Sequence, residues 1–447
     1  MTHPLTRALL ARNVTTSRFV RELAVLARER GAYISPGRAE AYRWQGRCKD
    51  KPRRPEDHTQ RLIGEWLGLP PEAVDPRAWP HWLESDPLQH PPDHPWTPSG
   101  ALAALTQVSG EETDMDRRSF TLTGGALTGS LLAWLTTDPA AAGQITSARR
   151  IGETAVARIE QRVGELRRAD DTGGGGQLLD HTATLLRLVT RLLRDRSYTD
   201  AHGLRLYAAA ADLARQRAAA RFDVYDRCDD GLFEVALRAA RTAGDDALGA
   251  NILGFWATAA ANTGRPRDAE TMATAALATV RGRTTPRVEA LLSMRRGRAR
   301  AHTAHPGCWA DFDHAETLLD GADAHGDQDP EWIYWFGPTD VGAARASSHR
   351  DRDQPSSAAE QFAHVAHAFP HRYVRDRALY LTRQADAEYA AGQIEEACAT
   401  ADQALTLTQT ITSRRTTAPL LELAAKVRTS TFPAARDFHE RAQTVLT

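Results

Sequence analysis

The feature that most constrains this chain is an internal repeat. Gly264-x4-Ala269-x6-Ala276-Leu277 and Gly392-x4-Ala397-x6-Ala404-Leu405 share one spacing. The Ala-x6-Ala pair also occurs at Ala201/Ala208, Ala315/Ala322 and Ala359/Ala366, and from Ala269 onward the intervals are 46, 44 and 38 residues. A period of that length holds two helices and two turns. Alanines seven apart fall on one helix face, where their small side chains let two helices approach closely. Glycine serves the turn between them. A single helical hairpin cannot bury its own apolar face, so such units stack into a superhelix with a concave surface. From about residue 178 to the end the pattern is helix after helix, enough for about five or six hairpins.

Composition points the same way. Hydrophobic residues make up 42 % of the 447 residues, enough for a sizeable core. Ala, Arg and Leu are abundant, and long Val/Ile/Thr alternations are missing, which favours helix over strand. The expected fold class is all-α.

Charge is unevenly spread although the net is only −1. Residues 1–70 hold 14 Lys and Arg against 7 Asp and Glu, while the remainder holds 42 against 50. A basic head on an acidic body is the asymmetry expected when the head alone meets a polyanion. Lysine occurs only at Lys49, Lys51 and Lys426, so two of three fall in that head.

The head reads as short helices. One covers residues 4–12. A second runs from Thr16 to Arg30, capped by Thr15, Thr16 or Ser17, with Phe19, Val20, Leu23, Leu26 and Ala27 on one face and Gly31 as its stop. A third begins at Ser35-Pro36, with Pro at the first helical position, and reaches Gln45. A basic loop, Arg47 to Pro55, leads to a fourth over Glu56–Leu67.

Residues 84–116, rich in Pro, His, Asp and Ser, read as an inter-domain linker. The expected domains are 1–83, a linker with a connecting helix over 84–150, and a helical body over 151–447. Gly173–Gly176 lacks the Lys-Ser/Thr of a phosphate loop and reads as a flexible turn.

Arg7 and Arg12 near the start, without a long apolar stretch, argue against a signal peptide. Arg117-Arg118-Ser119-Phe120 precedes a mildly apolar run to Leu135 and looks like a twin-arginine export signal. It lies deep in the chain and is too short to span a bilayer, so a linker helix is expected. Cys48, Cys228, Cys308 and Cys398 are far apart and form no CxxC pair, as in reduced thiols of a cytoplasmic protein.

The head carries Tyr42-Arg43-Trp44-x-Gly46, then Pro52-Arg53-Arg54-Pro55, then a helix closing on Trp66-Leu67-Gly68-Leu69. Over residues 4–75 this resembles the Cro/CI (XRE)-type helix-turn-helix family. The sequence departs from that pattern at Gln45, where Glu is usual. It also lacks one residue before Gly46 and has Cys48-Lys49-Asp50-Lys51 inserted. The resemblance implies that residues 36–45 form a recognition helix for double-stranded DNA. Arg38 and Arg43 would donate bidentate bonds to guanine, Ala39 would pack on a thymine methyl, and Tyr42 would reach a base edge or phosphate. Arg47, Lys49, Lys51, Arg53 and Arg54 would meet phosphates, with Trp44 in the core.

The body carries Trp332-Ile333-Tyr334-Trp335-Phe336 and Tyr373 to Leu381, continuing through Ala385 to Gly392. It resembles the tetratricopeptide (TPR) domains of actinobacterial regulators that join such a head to such a tail, over residues 117–430. The resemblance implies an N-terminal helix-turn-helix bundle followed by a TPR-like α-solenoid that controls gene expression. A peptide, small molecule or protein would bind on the concave face, and the chain would act as a homodimer in the cytoplasm. Candidate ligand residues are Asn251, Phe255, Trp256, Trp332, Trp335, Tyr373, Arg377 and Tyr380, whose spacing equally suits core packing.

Catalysis finds little support. His364, His367 and His371 fall at i, i+3 and i+7, but Pro370 interrupts them and no carboxylate completes a metal site. No hydrolase, zincin, phosphate-loop or kinase signature appears, so neither metal nor cofactor is expected. The competing reading is an interaction scaffold whose head docks onto protein rather than DNA.

Overall fold

The computed structural model describes residues 3–11, 14–32, 34, 36–45, 53–67, 69, 74–85, 94–109, 150–173, 175–369 and 373–446. All regular structure among them is helical, and no strand occurs. They form two compact units: one takes the described residues up to His94, the other those from Pro95 onward.

The first unit holds α1 (Pro4–Ala11), α2 (Thr16–Glu29), α3 (Arg38–Trp44) and α4 (Asp57–Leu67), then two short 3-10 helices, Pro76–Ala78 and His81–Ser85. Thr15 stays extended, and its hydroxyl accepts from the Arg18 amide at 3.3 Å, satisfying a free donor in the first turn of α2. Gly31 adopts φ +68°, and the Ala32 amide returns to Ala27 O at 2.8 Å, which ends the helix. Phe19, Leu23 and Ala27, four apart, form a fully buried stripe against Leu5, Ile63 and Leu83. Phe19 meets Trp66 edge to face at 4.9 Å.

Gln45 is buried where α1, α2 and α3 meet. Its amide donates to Thr16 Oγ1 at 3.1 Å and Ala41 O at 3.0 Å, while Thr6 Oγ1 donates to its carbonyl at 3.4 Å. A carboxylate offers no such donors, which gives Gln at this position a physical reason. The third helix starts later than the sequence suggests. Gly37 remains extended at ψ 160° as its cap, and Pro36 is buried ahead of the helix instead of opening it.

The second unit opens with α5 (Pro98–Ser109), inside the stretch that composition marks as linker. Thr97 Oγ1 caps it through the Gly100 amide at 3.2 Å, and Ala101, Ala104 and Leu105 are buried. Then come α6 (Glu153–Gly173), α7 (Gly175–Asp195), α8 (Asp200–Tyr225) and α9 (Asp230–Ala243). Next are α10 (Asp246–Asn262), α11 (Pro266–Val280), α12 (Pro286–His302), α13 (Cys308–Asp320), α14 (Pro338–Asp351) and α15 (Pro355–Ala368). The unit ends with α16 (Val374–Ala390), α17 (Ile394–Thr408), α18 (Arg414–Val427) and α19 (Pro433–Leu446). α5 packs on α7 and α9. Consecutive helices from α8 onward pack as hairpins, giving a solenoid-like stack.

The repeat has a structural counterpart at the hairpin turns. Gly264 (φ +86°), Ala304 (φ +56°), Asp353 (φ +57°) and Gly392 (φ +83°) are all left-handed. The following amides of Arg265, His305, Gln354 and Gln393 return to the carbonyls of Ala260, Arg300, His349 and Glu388, each at 2.9 Å. Gly244 (φ +71°) ends α9 in the same way, with the Asp245 amide on Ala240 O at 3.2 Å, so one helix-ending motif recurs five times among the described residues of this unit, twice without glycine. Ala269, Ala276, Ala315, Ala397 and Ala404 are fully buried in the second helices, as close packing requires. Ala201/Ala208 does not belong to this series: Ala201 is exposed and Ala208 half-buried on α8.

The glycine run is also not a free loop. α6 continues to Gly173 and α7 starts at Gly175. A Cβ on Gly175 would sit 2.8 Å from Ala220 O, and one on Gly176 would sit 2.6 Å from Thr412 Cβ, so these glycines permit close approach of α8 and of the segment that leads into α18.

Candidate functional site

α3 offers the first candidate face. Ala41 and Trp44 point into the core, which leaves Arg38, Ala39 and Arg43 exposed and Tyr42 half-buried on the other side. Arg38 Nε donates to Tyr42 Oη at 2.9 Å, so the two side chains present one joined edge. Arg53 and Arg54 are exposed just before α4, with Arg54 paired to Asp57 at 3.0 Å. Arg47, Lys49 and Lys51 lie outside the described residues, as do the Arg117–Phe120 segment, His371 and the His367 side chain.

The second candidate is a cavity of about 200 Å³ inside the second unit. Its walls come mainly from α6, α8, α10, α12, α14, α16 and α18, alternate helices of the stack, with Leu178 of α7 and with Trp332, Tyr334 and Trp335 on one side. The stack returns on itself around it. α6 packs on α16 and α8 on α18, Arg375 pairs with Asp170, and Ser413 Oγ donates to Asp223 at 2.8 Å. Tyr334 Oη donates to Asp171 at 2.7 Å.

Five of the eight residues named from sequence line this cavity: Asn251, Phe255, Trp332, Trp335 and Tyr380. The other three do not. Trp256 is fully buried, donates to Asp230 and stacks on Phe233 at 5.9 Å. Tyr373 packs with Phe369 and Val365 in a separate apolar cluster. Arg377 is half-buried on α16 away from the wall. Helical spacing marked all eight alike, and only their direction in the stack separates wall from core.

The sequence reading missed the arginines. Arg167, Arg215, Arg295, Arg298, Arg375, Arg383 and Arg415 line the cavity with Asp170, Asp171, Asp340 and Asp376. Four of the seven have carboxylate partners. Arg167 and Arg215 reach Asp212 at 3.3 and 2.6 Å, Arg298 pairs with Asp351, and Arg375 with Asp170 and Asp376. Arg295, Arg383 and Arg415 pair with no carboxylate among the described residues. They rest on Phe255, Tyr380 and Phe222; Arg383 also donates to Ser347 Oγ at 3.0 Å and Arg295 to Thr258 Oγ1 at 3.4 Å.

A signal for this existed. Arg295, Arg298 and His302 recur at i, i+3 and i+7 on α12, and Asp376, Tyr380 and Arg383 at i, i+4 and i+7 on α16. That is a polar stripe along helices that are otherwise core.

Burial sets the electrostatics. It lowers Arg295 to about 9, helped by nearby Arg215, and Arg383 to about 10, helped by Arg415 and Arg298. Both remain cationic at neutral pH. Burial and Arg298 push His302 down to about 4, so it is neutral. Burial and repulsion from Asp376 push Asp340 up to about 8, and burial pushes Asp171 up to about 6. At neutral pH Asp340 is therefore mostly protonated and subtracts little from the positive field.

No family model, curated protein or solved structure matches this chain.

Proposed function

We propose that the protein is a DNA-binding transcriptional regulator whose output is tuned by a ligand held in the cavity of its helical body. The observation that supports this reading best is α3. Its buried side is anchored by Trp44 and Gln45, while Arg38, Ala39 and Arg43 stand together on the exposed side, next to Tyr42. A helix that reads the major groove needs such a face: guanidinium donors for guanine and a small apolar group for thymine. The excess of positive charge in the first seventy residues supplies the sequence-independent part of the affinity.

One short recognition helix gives little affinity alone, so the regulator works as a homodimer in the cytoplasm. A ligand that favours one arrangement of the body shifts the spacing of two heads, and hence the operator they fit. Among the described residues no helix is long and apolar enough to cross a membrane.

Fluorescence anisotropy with the protein's own upstream DNA tests the reading, at two salt concentrations and against scrambled DNA. Sequence-selective binding that Arg38→Ala with Arg43→Ala abolishes is the expected result. Failure to select any sequence from random DNA would sink it and leave the scaffold reading in its place.

A further inference from the structure

Three observations about the cavity converge. Among the described residues, Arg295, Arg383 and Arg415 have no carboxylate partner, although a buried cation is seldom left without one. A second cavity of about 320 Å³ adjoins the first and shares Arg298, Arg383 and Arg415 with it, so the latter two stand where the spaces meet. Finally, Arg295 Nε, Asn251 Oδ1 and Gln216 Oε1 have no hydrogen-bond partner among the described residues, and all three residues are more than nine-tenths buried.

Gly254 adds a further sign that Arg295 is held there. A Cβ on Gly254 would lie 2.7 Å from Arg295 Cδ, so the glycine makes the groove in α10 along which that side chain runs. Glycine inside a helix costs roughly 1 kcal/mol relative to alanine, and here it keeps an unpaired cation in place.

We infer that the cavity binds a small oxyanion ligand, a phosphate or carboxylate, that also carries N–H or O–H donors. The negative group sits on Arg383 and Arg415, with Arg295 further along the wall, and the donors meet the open carbonyls of Asn251 and Gln216. Planar guanidinium forks match both oxyanions bidentately. Several acidic groups around these arginines are engaged elsewhere: Asp223 accepts from Ser413 and from the Gly175 amide, Asp340 accepts from the Gly337 amide, and Asp351 pairs with Arg298. A cavity of 150 Å³ accommodates benzene, so this one takes a ligand of amino-acid or sugar-phosphate size. The inference rests on the reading of the cavity as the ligand site, and not on the head binding DNA.

Calorimetric titration and thermal-shift assays on the full chain without DNA test it, with chloride balancing ionic strength throughout. The probes are inorganic phosphate and ribose 5-phosphate in one arm and succinate and glutamate in the other, with ribose as the neutral control. Saturable binding in at least one arm is expected, together with a rise in Tm that ribose does not produce. The arm that responds identifies the oxyanion.

Arg383→Met and Arg295→Met should each weaken that binding at least tenfold. Neither should lower the Tm of the ligand-free protein, since each removes an unpaired buried charge. Gly254→Ala, which displaces Arg295, should weaken binding in the same way. Absence of saturable binding in both arms would overturn the inference, as would unchanged binding in both Arg→Met variants. So would a lower ligand-free Tm in both, because the arginines would then be structural. Loss of DNA binding in the anisotropy experiment leaves every one of these outcomes readable.

Discussion

The guanidinium carbon of Arg295 lies 3.9 Å from the centroid of the Phe255 ring. Arg215 approaches the same ring at 4.5 Å, so one phenyl group supports two cations in the wall of the cavity. A buried ring quadrupole is worth roughly 0.5–2 kcal/mol to each such cation. Phe255→Leu keeps most of the apolar volume and loses the quadrupole. Urea unfolding should show a loss of about 1–3 kcal/mol for Phe255→Leu and a smaller one for Phe255→Tyr. Equal losses for Leu and Tyr would point to volume instead.

Asp230 is fully buried and accepts from Trp256 Nε1, from Arg265 at 2.8 Å and from the Cys228 thiol at 3.2 Å. Removing one partner of a buried ion pair typically costs about 3–5 kcal/mol, because the other charge stays buried. Asp230→Ala should cost that much in chemical denaturation. Adding Arg265→Met should recover part of the loss, which a simple cavity effect would not allow.

Asp340 makes stability depend on pH. Its folded pKa of about 8 lies above the roughly 3.9 of an unfolded Asp. Between those values the folded state holds a proton that the unfolded state releases. Its contribution is complete below about pH 4 and is lost as pH rises to 8, by at most about 1.4 kcal/mol per pH unit. Asp171, pushed up to about 6, acts in the same direction. His302, pushed down to about 4, opposes both, its contribution being lost as pH falls through the range below 6.5. Asp340→Asn preserves an acceptor for the Gly337 amide, 3.0 Å away, and carries no proton to lose. Unfolding free energies at pH 5, 6, 7 and 8 should show the wild type losing ground steadily to this variant. A constant difference would mean that Asp340 does not titrate there.

Four of the left-handed turns, at Gly264, Ala304, Asp353 and Gly392, should respond in opposite directions. No neighbouring atom lies within 4 Å of a Cβ added to Gly264 or Gly392, so Gly→Ala at either site tests backbone conformation alone. Each should lose about 1 kcal/mol. Ala304→Gly should gain up to about 1 kcal/mol by relieving the same strain, and Asp353→Gly less, because Asp tolerates that region better. Thermal unfolding of the four variants checks all of these together.

Much of the fold was legible in the sequence because its signals are local. Thr15 caps α2, Gly31 stops it, and Phe19, Leu23 and Ala27 recur at helical spacing. Periodicity and capping depend on residues within a turn or two, so a linear reading finds them. The Gly264 and Gly392 turns were visible for the same reason. Those at Ala304 and Asp353 were not, because their left-handed backbone is imposed by the hairpin and not by the residue.

The cavity belongs to the other kind of information. Asn251, Phe255 and Tyr380 could be listed as candidates, but a helical stripe looks the same facing a neighbour or a void, and Trp256 sat in that list as convincingly. The arginines of α12, α16 and α18 read as surface charge, since long cationic side chains are usually exposed. Only the closure of the stack, with α6 meeting α16 and α8 meeting α18, turns those faces inward and surrounds them with low-dielectric protein. Local sequence determined which helices form, where they stop and which residues share a face. Tertiary structure decided which charges lost their water and which of them lack a partner, because desolvation depends on what the rest of the chain places around a group and not on its neighbours in sequence.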